Sequence, residues 1–323
     1  MDRNNEKSKF LEINTNENIM KNKKKRNHGI DFIRTLAMYG IIFNHIISKK
    51  KINLKYSKFK ELKLLNVLLF WHNNGYSFIS GFVGYKTHKY CNLFYLWICV
   101  FFYSVIIYSF YFMYKPQSID DNFYYNLFPI IYKRYWFFSS YFGMYLFLPI
   151  ANKGIAYLNK SEFKICLISI HLIFVFWHDI MNINNDIFNT NKGYSVLWLL
   201  TYYITGAYFG KFKIIFLGIK KLYFCLISFL IYLFSSFLFY KIHYCEINGL
   251  KANYKIKIII ELRKLLTKNF DSNFKVIQSI AFILFLLQLD FNKYFGKIIS
   301  FIGTLTFGVY LIHHNHYIKN DIM

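Results

Sequence analysis

The chain has 323 residues, of which 55% are hydrophobic and 22% aromatic, with only 3 prolines and a mean hydropathy of +0.26. That balance exceeds what a soluble domain shows and indicates a polytopic membrane protein. The formal charge of +24 does not indicate a nucleic-acid partner, because the lysines are scattered among apolar runs with neither zinc spacing nor an aromatic platform beside them. Cys91, Cys99, Cys166, Cys225 and Cys245 contain no Cys-x-x-Cys pair and imply buried thiols with no metal site.

Residues 1–27 are polar and charged, contain no apolar core and read as a disordered basic tail. The basic run at residues 21–26 (KNKKKR) favours a cytoplasmic N-terminus. The equally basic stretch at residues 49–60 leaves that rule ambiguous.

The first apolar stretch, residues 28–50 (HGIDFIRTLAMYGIIFNHIISKK), is long enough to span a bilayer over about residues 30–48. It nevertheless carries Asp31, Arg34, Asn44 and His45, and charge at membrane depth is costly enough to mark a site. Arg34 and His45 lie eleven positions apart, so they fall within roughly 20° on one helix face and about 16 Å apart along the axis. They are expected to line one cavity from two depths. The same residues also suit a plain anchor helix, with Arg34 snorkelling to the headgroups and Asp31 paired to it at i, i+3.

The Arg-x10-His spacing preceded by Asp31 resembles the first helix of the membrane acyltransferase-3 family, whose members O-acetylate bacterial surface polysaccharides. The second apolar segment, about residues 62–85, contains WHNNGYSFISGFVGYK. Here His72, Asn73, Asn74 and Ser80 need partners or a watery cavity. The run Phe78 to Phe82 resembles the F-x-x-SG-[FY] signature of the same family, and small-residue helix packing accounts for it equally well. A third span covers about residues 91–114, before Pro116. Lys86, His88 and Lys89 stand where many family members carry an arginine-rich segment, so no arginine contact to a coenzyme phosphate is carried over.

Residues 129–152, PIIYKRYWFFSSYFGMYLFLPIAN, resemble the family's YWF-x-x-x-Y segment, with Lys133 and Arg134 suited to membrane anchoring or to an anionic donor. Further spans are expected at about residues 163–180 and 195–210. The second of these ends G-A-Y-x-G-K, as the family's sixth helix does. His171 and His178 read as packed or interfacial polar groups. Residues 214–244 form one apolar run, expected to be a single tilted helix. Within residues 245–273, Ile256, Ile259, Leu262 and Leu266 share a face, which predicts an interfacial amphipathic helix. An eighth span is expected at about residues 274–289 and a ninth at about residues 298–318, where Thr306 to His313 resemble the family's late Y-L-x-H signature through Tyr310 and His313.

Together these patterns imply an all-α transmembrane bundle of about nine to ten helices over residues 28–323, in a bacterial cytoplasmic membrane. The resemblance implies a membrane-embedded acyltransferase that moves an acyl group, acetyl from acetyl-CoA, to a hydroxyl of a cell-surface polysaccharide or its lipid-linked precursor. His45 is the candidate proton acceptor or acyl carrier, Arg34 a phosphate-holding or orienting cation, and Asp31 its anchor. Ser80, His72, Asn73, Asn74, Tyr310 and His313 are the candidate cavity residues, with His314 pointing elsewhere because adjacent helical residues diverge by about 100°. Acyl-CoA, a glycan or lipid-linked sugar acceptor and the bilayer are the expected partners, with no permanently bound cofactor. The family continues past Y-L-x-H with one more span, so this chain is expected to be a shortened member of reduced activity. The residue pattern alone also fits a non-catalytic transporter or flippase subunit, whose Arg34 and His45 would line a pathway.

Overall fold

A computed structural model describes residues 27–49, 60–86, 89–116, 123–177, 188–213, 220–245 and 273–322, and among them there is no strand. The basic tail up to residue 26, His88, His178 and the amphipathic stretch at residues 256–266 lie outside the described residues. The helices are α1 (His28–Lys49), α2 (Lys60–Leu69), α3 (His72–Gly84), α4 (Tyr90–Tyr114), α5 (Tyr124–Leu127) and α6 (Trp136–Tyr157). There follow α7 (Lys160–His171), running on into a π-helical turn Leu172–Trp177, and a 3-10 turn Asn191–Gly193. The rest are α8 (Val196–Phe212), α9 (Lys220–Cys245), α10 (Asn273–Leu286), α11 (Lys293–His314) and α12 (His316–Ile322).

Among the described residues four stretches, within α1, α4, α9 and α11, are long and apolar enough to cross a membrane. The expectation of nine spans of about 20 residues is therefore not reproduced. One reason is the segment expected as a single second span. The chain breaks at Phe70 and Trp71, giving α2 with 10 residues and α3 with 13, and 13 residues rise only about 20 Å. Broken helices are tolerated at membrane depth where the freed backbone lines a cavity or packs on protein. The last span also breaks, at Asn315, whose side chain accepts from the Tyr317 amide and donates to the Tyr135 hydroxyl. The run at residues 214–244, in contrast, does yield one helix where it is described, α9.

The core is organised by two helix pairs. α1 lies against α11 and α3, burying Ile33, Ala37 and Met38. α3 packs most extensively on α8, and there the backbones nearly touch. A Cβ on Gly81 would run into the Tyr203 carbonyl, and one on Gly206 into that of Phe78. Close approach is thus the reason for glycine in both resemblance motifs. The lysine that ends the second motif also has a structural role. Lys211 Nζ donates to the carbonyls of Ile155, Ala156 and Leu158, placing a cation at the C-terminus of α6 where the helix dipole favours it.

Gly206→Ala is expected to destabilise the protein by about 1–3 kcal/mol through overpacking, despite the better helix propensity of alanine. Thermal unfolding in detergent checks this, with Gly154→Ala as the control, since a Cβ there meets nothing within 4 Å.

Candidate active site

α1 sets the site because one of its faces carries Asp31, Arg34, Ile41, Asn44 and His45. Asp31 is 2% exposed. Its Oδ1 accepts from Arg34 Nη1 at 3.2 Å and its Oδ2 from Ser300 Oγ of α11 at 2.8 Å. Ser300 in turn meets His28 Nδ1 at 2.8 Å. A withdrawn carboxylate needs such donors, and these satisfy it while fixing α1 against α11. The Arg34 carbonyl accepts from the Tyr76 hydroxyl at 2.9 Å, which ties in α3.

Arg34 faces a cavity of about 390 Å³ whose other walls include Met38, Ile79, Ser80, Tyr141 and Thr306. Ser80 Oγ donates to its own helix at the Tyr76 carbonyl and lies 3.3 Å from the Tyr141 hydroxyl. Most of this wall is apolar, with the guanidinium, phenols and a few hydroxyls as its polar groups.

His45 lines a second cavity of about 280 Å³, together with Asn44, His72, Asn73 and His314. Ile41, Phe137 and Tyr310 line both cavities and so stand between them. The expectation that Arg34 and His45 line one cavity is corrected accordingly: the 16 Å or so between them along α1 is enough for aromatic side chains from α6 and α11 to intervene. His45 Nδ1 lies 3.0 Å from His313 Nε2 with the rings stacked, centroids 5.1 Å apart. His72 uses one ring nitrogen with Asn44 and the other with Asn73 Oδ1. The break before α3 therefore delivers His72 and Asn73 to the cavity.

Three expectations about individual residues change. Asn74 does not line either cavity; it donates to Tyr202 and Ser279 and accepts from Trp198 Nε1, a buried network joining α3, α8 and α10. His314, expected to point away, lines the His45 cavity, with its ring centroid 5.2 Å from that of His45. His313 instead contacts His45 directly and is not part of the cavity wall. Both imidazoles reach His45 because its ring projects into the last turn of α11, between two directions about 100° apart. Tyr141 is a site residue that the sequence reading misses; within the aromatic stretch YWFFSSYF it carries no polar signal of its own. His171 sits among backbone and Thr205 contacts, as a packed polar group. Among the described residues no cluster of three or more His, Cys, Asp or Glu could hold a metal.

Asp31→Asn retains the contact to Ser300 but removes the attraction to Arg34. It is expected to cost about 1–3 kcal/mol, read as a lowered melting temperature, with Ser300→Ala costing less.

The family model described as an acyltransferase domain, acyltransferase-3, matches residues 27–318. Searches of curated proteins and of solved structures find no significant match. The match takes in every helix that builds the two cavities, and with its apolar helices the protein is a multi-pass integral membrane protein: the chain belongs to the acyltransferase-3 family, the membrane acyltransferases.

Proposed function

We propose that the protein transfers an acetyl group from acetyl-CoA to a hydroxyl of a cell-surface polysaccharide or its lipid-linked precursor, at the bacterial cytoplasmic membrane. The observation that carries the chemistry is His45, in the last turns of the apolar span of α1, 3.0 Å from His313 and open to a cavity. In the tautomer with the proton on Nδ1, donated to His313 Nε2, the basic nitrogen of His45 is Nε2. The acceptor hydroxyl gives its proton to Nε2 as its oxygen attacks the thioester carbonyl. The C–S bond then breaks, and the departing thiolate takes the proton back from the imidazolium. An imidazole that first carries the acyl group serves the same overall transfer.

Arg34 holds an anionic or carbonyl oxygen of the donor in the larger cavity, with Asp31 fixing the guanidinium plane. Ser80 and Tyr141 supply hydroxyls along its wall, and the apolar remainder accommodates the uncharged arm of the donor. The acyl group reaches His45 past Tyr310 and Phe137.

His45→Ala is expected to lower acetyl incorporation by about 10²- to 10⁴-fold while the protein remains inserted, measured with labelled acetyl-CoA in membranes and glycan extracted from them. Arg34→Lys keeps the charge but not the planar fork and is expected to lose at least about tenfold. Unaltered transfer by the His45→Ala protein contradicts its role, and labelled acetyl absent from glycan with the intact protein contradicts the proposed acceptor.

A further inference from the structure

His314 is shared between the His45 cavity and a third hollow of about 380 Å³ at the end of α11. Lys133, Arg134, His316 and Lys319 line this hollow, along with Tyr125 and Tyr132, and none of the described residues that line it is acidic. The cationic groups arrive from two separate parts of the chain. Lys133 and Arg134 stand in the turn before α6, closed by hydrogen bonds from their amides to the carbonyls of Ile130 and Pro129, and Lys133 holds a left-handed φ of 52°. His316 and Lys319 lie on α12. The Arg134 guanidinium lies over the Tyr125 ring at 5.2 Å, and Tyr125 packs on Tyr132 at 4.5 Å between centroids, which positions the planar fork. His314, only 8% exposed, closes the inner end, and its Nδ1 is buried without a hydrogen-bond partner.

We propose that this hollow binds the phosphate or diphosphate group of a substrate of the acyl transfer; the inference rests on the acyltransferase reading above. Three cationic side chains and two imidazoles in one concavity match a group with more than one negative charge better than a single carboxylate. An arginine fork beside lysines is the arrangement that recognises phosphate oxygens in two-point fashion. The volume falls within the range of small-molecule sites. His314 lines both this hollow and the His45 cavity, so a phosphate ester seated here lies one imidazole away from the reacting cavity. The diphosphate of a lipid-linked sugar offers this chemistry, and so does the nucleotide part of an acyl donor that enters from this side instead of through the Arg34 cavity.

The test is binding without turnover, on the full-length protein in nanodiscs of neutral lipid, by titration calorimetry with inorganic pyrophosphate at fixed salt. Arg134→Gln combined with Lys319→Gln is expected to weaken binding at least tenfold, Lys319→Gln alone to give a smaller loss, and Lys160→Gln, outside the hollow, to change nothing. Unfolding temperatures of the variants verify that they are folded. Absence of pyrophosphate binding, or equal affinity in all four proteins, overturns the proposal. Coenzyme A and a short-chain prenyl diphosphate are then titrated in the same way. A loss in the double variant for the first assigns the hollow to the donor and for the second to the acceptor; a loss for neither overturns the proposal. Acetyl transfer without pyrophosphate binding removes this site and leaves the acyltransferase reading. Pyrophosphate binding at the hollow without transfer of any acyl group leaves an anion site but removes the acyltransferase reading and, with it, the proposed identity of the ligand.

Discussion

A carboxylate removed from water must be satisfied inside the protein, and Asp31 shows what that requirement does to the bundle. Its two oxygens take Arg34 from its own helix and Ser300 from α11, so the first and the last long helices are fixed in one register. From that register follows the rest of the site. The Arg34 end of α1 meets one cavity, and the His45 end, some 16 Å further along by helix rise, meets the last turn of α11 with its paired imidazoles. A shift of a single helical turn between α1 and α11 would separate His45 from His313 and expose the carboxylate to apolar surroundings.

A second constraint is closeness. Helices in a bilayer gain little from the hydrophobic effect against each other and depend on packing and on hydrogen bonds across the interface. α3 and α8 meet backbone to backbone at Gly81 and Gly206, and Asn74 stitches the pair to α10 through Tyr202, Trp198 and Ser279. This rigid layer supports the start of α3, where the chain break presents His72 and Asn73 to the cavity. A continuous helix through Phe70 and Trp71 would leave no freed backbone there.

Much of this is legible in the residues and some is not. Polar groups inside apolar runs point to Asp31, Arg34, His45, His72 and Asn73, because charge and hydrogen-bonding groups are costly at that depth. The i, i+3 spacing of Asp31 and Arg34 translates directly into contact. What spacing along one helix does not give is the content of the space between its residues: Phe137 and Tyr310 come from α6 and α11 and divide one expected cavity into two. Helix breaks are equally hidden, since apolar runs carry the same hydropathy whether the helix continues or stops at Trp71 or Asn315. Asn74 reads like its neighbours and is structural, a distinction set by which face of α3 meets α8. The expectation for His314 fails because a 100° rule between neighbours ignores how large a partner ring lies between them.

The most direct measurement of where transfer happens is photolabelling with a coenzyme A thioester whose acyl group carries a diazirine, followed by peptide mapping. Transfer at His45 predicts labelling of the α1 and α11 peptides that contain His45, Tyr310 and His314, suppressed by excess acetyl-CoA. Labelling confined to the lipid-facing side of α4 or α9, or insensitive to acetyl-CoA, would contradict it.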